Sequence, residues 1–400
     1  MQTFSTIVIG AGLMGSAAAR YLSQSDPNIG IIGPAEPADQ VTHDGVYASH
    51  YDQGRLTSAA SKNLIWSRLV RRSMEQYGTI EAEAGIKFYR PVGKVQAEGP
   101  HSPAPESEAL MRVAQAEGVA YTRFAAGDDG WRASAPGLDF PGDFWVIYEP
   151  APAGMINPRG LCQAQLRIAR QQGATLIRAT VTGVAEDEAG VTVSTDDGNA
   201  YRAEKVIVAA GAFTNFNDLL PRELPLRLKT ETIILAQVTP ERTAELAEMP
   251  IVGYQIMDPD IDDIYMTPPV QYPDGNFYVK MGCNTRTDTW PATLEEVRAW
   301  FQSGDSETCK PAMAAAVRAM LPDTEFLAFQ SGRCIVCYTP SGLPTIDWVS
   351  ERILTLAGGN GSSAQCSDTL GRLAAGVAQG EAWPDDLPRD PFLLHEWDAE

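Results

Sequence analysis

The stretch STIVIGAGLMGSAAARY, from Ser5 to Tyr21, limits the fold of this chain more than any other. Its first part, Thr6 to Ile9, is a short apolar run rich in β-branched residues, which predicts a buried strand. The run ends at Gly10, and an alanine-rich segment with the character of a helix follows Gly15. The stretch therefore predicts a strand, a glycine-rich turn and a helix, which together begin a parallel α/β sheet.

The glycines of this turn have the spacing GxGxxG, and each meets a different steric need. Gly10 allows a tight turn off the strand, Gly12 allows the backbone to approach a pyrophosphate, and Gly15 allows the helix to pack against the sheet. The phosphates would then lie at the positive end of the helix, where Leu13 and Met14 begin it. We therefore predict a dinucleotide-binding site at these residues.

In such sites, an acidic residue at the end of the second strand normally holds a ribose hydroxyl, and no acid stands at that position here. The second strand, Ile29 to Ile32, ends at Gly33, and the nearest carboxylate is Glu36. Glu36 could bind ribose, or it could be a solvated loop charge beside Pro37. The sequence leaves both interpretations open.

Length and charge narrow the possible functions. A chain of 400 residues, 44% of them hydrophobic, can bury a large core and suggests two domains or one interleaved domain. The formal net charge of −20 argues against nucleic acid and anionic membranes as partners, because no basic run offsets phosphate repulsion. Because the glycine turn comes so early and no long apolar run exists, we expect no signal peptide, no membrane span and a cytoplasmic protein. The oligomeric state stays open, with a monomer as one option.

The six cysteines are scattered, unlike a secreted disulfide framework. Cys334 and Cys337 have CxxC spacing, but no second pair or nearby histidine completes a zinc site. We therefore predict no metal centre.

The α/β pattern is interrupted and then resumed along the chain. His43 to Arg55 is a polar segment without periodicity, which is more typical of a functional loop than of a core element. Lys205 to Ala210, ending at Gly211, predicts a further strand of the first sheet. Near the C-terminus, Ile353 to Ala357 predicts another strand, and it runs into a second glycine-rich turn formed by Gly358, Gly359, Asn360 and Gly361. That turn could face a cofactor ring or could simply begin a helix.

Between these parts, the pattern predicts a second, mainly antiparallel sheet. Its strands are predicted at Leu224 to Leu235, Ile264 to Thr267 and Asn276 to Gly282, and a strand pair is predicted around Gly93, from Lys87 to Val95. Helices are predicted at 61–77, 102–118, 158–172, 294–301, 310–321 and 367–379. The fold class is therefore α/β, with a Rossmann-like domain formed by 1–85, 151–223 and 331–385, an inserted α+β substrate domain formed by 86–150 and 224–330, and a C-terminal tail at 386–400.

Taken together, these motifs resemble the flavin-dependent amine oxidases of the D-amino-acid oxidase superfamily, in particular the branch of monomeric sarcosine oxidase and N-methyltryptophan oxidase. The resemblance covers nearly the whole chain, and the order and spacing of its motifs are more specific than any one of them. It rests on Gly10 to Gly15, Val206 to Phe213, Val279 to Gly282, Cys334 to Asp347, and Ala357 to Gly361.

The resemblance implies FAD in extended form, with its pyrophosphate at the first helix and its ring at the inserted sheet. Gly211 and the second glycine turn then belong to the cofactor site. In the sarcosine oxidase branch, a cysteine five residues before the threonine of a Thr-Pro pair is bonded to the flavin, and Thr339 puts that position at Cys334. Attack of its thiolate on the flavin 8α-methyl carbon would leave a thioether. Otherwise Cys334 is a buried small hydrophobe. Cys337 is the weaker candidate because it would face the other side of a strand.

The lysine of the VKxG strand lies against the flavin in that branch and helps reduced flavin to pass electrons to oxygen. Lys280 occupies its position. A fixed ammonium would stabilise developing superoxide charge in a dry site. An ordinary surface lysine is the alternative.

The groups that recognise substrate differ from the family pattern. Sarcosine oxidases hold the substrate carboxylate with an arginine in the loop after the second strand and a lysine near the C-terminal turn. Here that loop has no arginine before Arg55, Gln365 stands at the lysine position, and Asn284 replaces a histidine near the flavin. We therefore expect sarcosine to be a poor substrate and a larger amine to bind. Its candidate contacts are Tyr47, His50, Arg55, Tyr265 and Gln365, with Arg333 as a second candidate cation that strand alternation turns away from the ring.

We therefore expect oxidation of a C–N bond in an amine or amino acid, with a secondary amine favoured. Hydride would pass to FAD, the imine would hydrolyse, and oxygen would be reduced to hydrogen peroxide. His50 could accept a proton, or it could make a structural hydrogen bond in its loop. The alternatives are a flavin dehydrogenase with another electron acceptor and a catalytically silent FAD-binding subunit.

Overall fold

The computed structural model describes residues 1–39, 41–100 and 105–398. The strands in these residues are β1 (Gln2–Ile9), β2 (Ile29–Ile32), β3 (Arg55–Thr57), β4 (Tyr89–Arg90), β5 (Lys94–Glu98), β6 (Thr122–Phe124), β7 (Trp145–Glu149), β8 (Gly154–Ile156), β9 (Thr175–Ile177), β10 (Val181–Asp187), β11 (Gly190–Thr195), β12 (Ala200–Val208), β13 (Arg227–Val238), β14 (Ile251–Gln255), β15 (Ile261–Gln271), β16 (Phe277–Thr285), β17 (Ala328–Tyr338), β18 (Thr345–Trp348) and β19 (Ile353–Ala357). The α-helices are α1 (Leu13–Ser23), α2 (Leu64–Ala84), α3 (Pro105–Glu117), α4 (Pro158–Gln171), α5 (Pro240–Glu245), α6 (Leu294–Ser303), α7 (Lys310–Met320) and α8 (Ser367–Gln379).

The first sheet has the strand order β10-β11-β12-β1-β2-β9, and β19 and β18 extend it from β12. Its centre is parallel: β1 pairs with β2 and β12, and β12 pairs with β19. Parallel central strands are buried on both faces, and Ile7, Ile31 and Ile207 are accordingly inaccessible to solvent. Helix α1 packs against α4 and α8. The predicted α/β fold with a Rossmann-like sheet is therefore confirmed.

The turn between β1 and α1 depends on glycine. Gly10 has a φ of +108°, and a Cβ there would lie 2.2 Å from the carbonyl oxygen of Ala209, at the end of β12. Only glycine therefore allows the chain to leave β1 so close to the neighbouring strand. This approach brings the start of α1 to the carboxyl edge of the sheet.

The second sheet has the order β17-β13-β16-β15-β14-β5-β7-β6 and is antiparallel except where β14 pairs with β5. Strand β13 alternates strictly: Ile234 and Ala236 are buried in a core that α7 helps to form, while Glu231, Ile233 and Leu235 face the other way. The predicted mainly antiparallel sheet is confirmed, and its second face is free to line a site.

The predicted strand pair around Gly93 is wrong in its pairing. The two strands exist, but β4 pairs with β8, and β5 pairs with β14 and β7. Strands β3, β8 and β4 form a small third sheet. The local pattern locates a strand, but the partner of that strand is decided by distant parts of the chain.

The bounds of helix α2 also differ from the prediction. Helix α2 begins at Leu64 because the Asn63 side chain caps it, and it continues to Ala84, where Gly85 ends it with a φ of +64°. Strand β17 pairs with β13 along its whole length, so we propose that the domain boundary lies after Tyr338 rather than at residue 331.

The predicted start of a helix at Ser102 and the last two residues of the predicted tail lie outside the described residues. In the described ranges, no helix is both long and apolar enough to cross a bilayer.

Candidate cofactor and substrate site

A cavity of about 960 Å³ is lined by residues of both large sheets. Ile9 and Ala209 contribute from the carboxyl ends of β1 and β12, and Ile233, Leu235 and Cys334 contribute from β13 and β17. In α/β sheets, ligands bind outside the carboxyl ends of the strands. The cavity is therefore our candidate site, with a nucleotide side at the first sheet and a reaction side at the second.

The nucleotide side is built from backbone. Gly10, Gly12, Leu13 and Met14 line the cavity, and among the described residues no side chain caps the first turn of α1. The N–H groups of that turn are therefore available to an anion. A Cβ at Gly12 would meet no described atom closer than Nδ1 of His50 at 3.7 Å, so the backbone is open to the cavity. Gly15 lies behind the wall, where a Cβ would be 1.9 Å from the carbonyl oxygen of Gly10. This arrangement fits the pyrophosphate of a dinucleotide.

Glu36 lines the same side and is held by Arg159. The guanidinium donates from Nε at 2.8 Å and from Nη2 at 2.5 Å to the two carboxylate oxygens. In the described part of the chain, Nη1 of Arg159 is buried and has no hydrogen-bond partner. Glu36 is thus an oriented carboxylate at the cavity wall, and ribose binding by it stays a prediction.

His50 lies beside Gly12, on the nucleotide side. Its Nδ1 atom is buried and, among the described residues, lacks a hydrogen-bond partner. Burial, with smaller contributions from Arg159 and Arg178, lowers the pKa of His50 to about 3. A neutral imidazole in this position supports a contact with the cofactor more than the capture of a substrate proton.

The two cysteines of β17 differ in their surroundings. Cys334 is partly exposed and its carbonyl oxygen accepts a hydrogen bond from Nε1 of Trp300 at 2.9 Å. Cys337 is buried, and burial raises the pKa of its thiol to about 12. Because the thiolate is the nucleophile, Cys334 is the better candidate for attachment to a cofactor.

A buried ion cluster forms part of the reaction side. Lys280, on β16, is 0% exposed, contacts the carboxylate of Asp52 and donates to the carbonyl oxygen of Gly54 at 3.0 Å. Asp52 also pairs with Arg55 and accepts a hydrogen bond from the hydroxyl of Tyr272 at 2.8 Å. One carboxylate therefore holds two cations, and this Arg55–Asp52–Lys280 cluster has a formal charge of +1.

Lys280 lies behind the cavity wall rather than on it. Asp52, Arg55 and Tyr265 line the cavity, and Nζ of Lys280 is 5.0 Å from the centroid of the Tyr265 ring. Burial, and then the neighbouring Arg55, lower the pKa of Lys280 to about 8, while the carboxylate of Asp52 favours the charged form. Lys280 is therefore separated from the cavity by a layer of other side chains.

The remaining predicted substrate contacts line the cavity, but their polar groups are partly used. The Tyr47 hydroxyl donates to the carbonyl oxygen of His43, and its ring stacks on Phe301 at 4.1 Å. Oε1 of Gln365 accepts from the backbone N–H of Ser58 at 3.0 Å. Arg333 also lines the cavity, and its Nε donates to the carbonyl oxygen of Gly304 at 2.8 Å.

The second glycine turn lies partly at the cavity wall and partly behind it. Gly359 and Gly361 of this turn line the cavity, as does Gly211 after β12, whereas Gly358 and Asn360 do not. The Asn360 side chain accepts from the N–H of Thr339 and donates to the carbonyl oxygen of Gly358, at 2.9 Å each. It thereby ties the turn to the end of β17.

Sequence reasoning missed Asp52 and Glu231, both of which line the cavity. Asp52 stands in the polar segment already singled out as a functional loop, three residues before Arg55. Glu231 is an acid on the inward face of a strand, and it shares that face with Lys229, Ile233 and Leu235. The loop position of Asp52 and the strand-face position of Glu231 could each have identified the residue as a site candidate.

The comparisons with known proteins agree with this geometry. A family model described as FAD dependent oxidoreductase (DAO) matches residues 5–376. N-methyl-L-tryptophan oxidase from Yersinia pestis (strain Pestoides F) is 26% identical over 222 residues, which are 54% of this chain and 56% of that protein. The chain thus spans about half the length of the curated relatives it matches.

Two solved structures share the fold over nearly their whole length. NikD, described as an unusual amino acid oxidase essential for nikkomycin biosynthesis, is 18% identical with a TM-score of 0.76, covering 98% of each chain. L-proline dehydrogenase from P. horikoshii is 17% identical with a TM-score of 0.72, covering 98% of this chain and 97% of that one. At such identities the likeness shows the fold alone.

Proposed function

The chain belongs to the family of FAD-dependent oxidoreductases, and from this premise we propose that it oxidises the C–N bond of an amino acid, with a secondary amine favoured. Gly10 to Met14 would hold the pyrophosphate of FAD, which when bound would supply the two-electron redox chemistry as the acceptor of hydride from the carbon next to nitrogen. Oxygen is the proposed final acceptor and is reduced to hydrogen peroxide, while the imine product hydrolyses. The protein's own residues bind and orient the substrate.

The observation that carries this proposal is the Arg55–Asp52–Lys280 cluster. Its excess positive charge lies at the wall of a cavity inside a chain with a net charge of −20. Arg55 lines the cavity, where its Nη1 donates to the carbonyl oxygen of Gly54 and its Nη2 to that of Ser49, at 3.1 Å each, and its remaining N–H groups can bind a carboxylate through charge-assisted hydrogen bonds. It therefore supplies the cation that Gln365 does not, which favours an amino acid over an amine without a carboxylate.

A screen of the FAD-loaded protein under anaerobic conditions tests the substrate class. N-methyl amino acids, cyclic imino acids, D-amino acids and sugar–amine conjugates are each compared with the matched amine that lacks the carboxylate. We expect an amino acid to bleach the flavin, and Arg55→Lys, which keeps the charge but not the paired geometry, to weaken its binding by about 10- to 100-fold, as expected for loss of one charge-assisted hydrogen bond. Equal bleaching by the matched amine would contradict carboxylate recognition. A flavin that none of these compounds bleaches would favour a catalytically silent subunit.

A dehydrogenase is the second candidate function. It is favoured by the contact between Lys280 and Asp52, because a paired ammonium stabilises developing charge on oxygen less than a free one. Turnover of the best substrate in air distinguishes the two. Stoichiometric peroxide supports an oxidase, whereas turnover only with an added electron acceptor supports a dehydrogenase.

We also propose that the cofactor is attached covalently through Cys334. The partial exposure of Cys334 and the burial of Cys337 support this choice. Acid-precipitated wild type should retain its yellow colour, and Cys334→Ser should release FAD into the supernatant. Cys337→Ser is the matched control and should keep the flavin bound. Full recovery of free FAD from the wild type would contradict attachment.

A further inference from the structure

Glu231 places an acidic side chain on the reaction side of the cavity. It lies on β13, on the same face as Ile233 and Leu235, and all three line the cavity. Its Cα pairs across the sheet with that of Cys334 on β17. No part of the function proposed so far uses this carboxyl group.

This carboxyl group has only one ion-pair partner among the described residues, and that partner is not close. The Glu231 side chain makes no hydrogen bond there, and its Oε1 lies 3.8 Å from Nζ of Lys229. That ammonium is closer to Asp288, at 2.6 Å, and to Oδ1 of Asn284, at 2.7 Å. The Glu231 side chain is only 19% exposed. A largely buried carboxylate without a hydrogen-bonded partner is costly, so this position favours a ligand that brings a cation.

The charged and titratable groups around Glu231 come from several elements. They are Lys229 on the same strand, Asp288 after β16, Arg55 on β3, Asp263 on β15, and Cys334 and Tyr338 on β17. Burial is the largest cause that raises the pKa of Glu231, to about 7. Lys229 and Arg55 oppose this rise, and Asp288 and Asp263 add to it. The carboxyl group is therefore ionised above neutral pH and protonated below it.

We propose that Glu231 forms a subsite for the cationic amine of the substrate, beside the Arg55 subsite for its carboxylate. This inference rests on the proposed function, because an amino acid presents an ammonium and a carboxylate a few bonds apart. An anion on β13 and a cation on β3 face the same cavity and match those two charges. Ionised Glu231 accepts a hydrogen bond from the ammonium and can take one proton from it. That transfer leaves a neutral amine and a neutral carboxylic acid, and no other bond changes.

A pair of unreactive ligands separates the effect of a cationic nitrogen from the effect of shape. Trimethylglycine and tert-butylacetate (the 3,3-dimethylbutanoate anion) have the same shape and the same carboxylate, but only the first carries a cationic nitrogen. Their dissociation constants are measured from the change in flavin absorbance of the FAD-loaded protein between about pH 5.5 and about pH 8. Trimethylglycine has no N–H and therefore reports the charge alone. We expect it to bind about tenfold more tightly than tert-butylacetate at the upper pH, and this ratio to fall towards one at the lower pH as Glu231 is protonated. Lys280 loses its proton over the same range, which also favours the cationic ligand, so the ratio is measured in Lys280→Met as well and should keep its pH dependence there.

Variants of Glu231 provide the second arm of the experiment. Glu231→Gln should abolish the preference for trimethylglycine over tert-butylacetate at every pH, and Glu231→Asp should retain part of this preference. Glu241→Gln removes the same charge from the exposed start of α5, outside the cavity, and should leave the ratio unchanged. A ratio that does not vary with pH, a ratio that Glu231→Gln leaves intact, or failure of both ligands to bind would overturn the inference. The pH arm, measured in the wild type and in Lys280→Met, remains decisive if a Glu231 variant does not fold.

The two proposals fail in different ways. Bleaching of the flavin by an amino acid, together with a ligand ratio that is insensitive to Glu231, leaves the function standing and overturns the subsite. A ratio that depends on Glu231, without bleaching by any amine, supports a cation subsite in a protein that does not have the proposed function.

Discussion

On the side of the first sheet, the part of the cavity wall that would meet the pyrophosphate is a run of neighbouring residues from Gly10 to Met14, and its binding groups are backbone N–H groups. On the side of the second sheet, the wall depends on side chains from separate segments. Asp52 lies in the loop before β3, Arg55 is the first residue of β3, Lys280 lies on β16 and Glu231 lies on β13. The pyrophosphate part of the nucleotide side is thus specified locally, whereas the reaction side exists only after the sheets have formed.

This difference predicts different responses to mutation. A backbone site is altered mainly by added bulk, because every residue supplies the same N–H group. A buried ion cluster fails when a single member is removed, because the partners left behind are charges without compensation. The following substitutions test this contrast.

The largest effect is expected for Asp52→Asn. The substitution leaves Lys280 and Arg55 close together without the carboxylate that they share. Removal of one partner from a buried pair should lower the free energy of unfolding by about 3–5 kcal/mol. Urea denaturation of the FAD-loaded protein near neutral pH measures this loss.

The double variant Asp52→Asn/Lys280→Met provides the control. It also removes the ammonium that would otherwise be left unpaired, so it should recover part of the lost stability, and the cycle isolates the coupling between the two residues. Equal unfolding free energies for the wild type and Asp52→Asn would show that the cluster does not stabilise the fold.

The same contrast explains what could be predicted from the sequence. Gly10, Gly12 and Gly15 predicted the turn because strand, turn and helix are contiguous and each glycine has a local steric reason. Helix α8 was predicted from Ser367 to Gln379, and the structure has those bounds. Information of this kind lies within a few neighbouring residues.

The contacts of Lys280 could not be predicted in this way. Its partner Asp52 is 228 residues away in sequence, and only the pairing of β16 with β13 and β15 brings the lysine under the cavity. The pairing of β4 and β5 was mispredicted for the same reason. Glu231 carried a weak local signal, an acid that shares one strand face with Ile233 and Leu235, but its role depends on which face lines the cavity.

A smaller effect is expected for Lys280→Met, measured on the reaction with oxygen. Reoxidation of the reduced flavin should slow by about 10²-fold, or about 2.7 kcal/mol, at the lower end for loss of one preorganised donor because Asp52 already offsets the charge. Reduction by substrate should change much less. In the wild type, the rate should fall as the pH rises through about 8, because the ammonium loses its proton there.

Lys87→Met serves as the control for this variant. The Lys87 side chain is 88% exposed, so its removal deletes an ammonium without touching the cavity. Stopped-flow mixing of the reduced proteins with oxygen should give wild-type rates for Lys87→Met. A wild-type rate for Lys280→Met as well would remove Lys280 from the oxygen reaction.

The smallest change in stability is expected for Gly12→Ala on the nucleotide side. A Cβ there meets no described atom closer than 3.7 Å, so the free energy of unfolding of the cofactor-free protein should change by less than about 1 kcal/mol. The added methyl group narrows the wall at the uncapped helix start, and FAD binding should weaken by about tenfold. Fluorescence titration of cofactor-free protein with FAD, in a Cys334→Ser background, measures the affinity.

Gly15→Ala completes this test because the added methyl group is the same and only its surroundings differ. A Cβ at Gly15 would lie 1.9 Å from the carbonyl oxygen of Gly10, so the backbone must shift, at a cost of about 1–3 kcal/mol in stability. If Gly12→Ala destabilised the chain as much as Gly15→Ala, Gly12 would be a packing residue. The nucleotide side would then depend on tertiary packing, as the ion cluster does. If Gly12→Ala loses affinity and keeps stability, the glycine at the helix start is there for the cofactor, and the two sides of the cavity differ in kind.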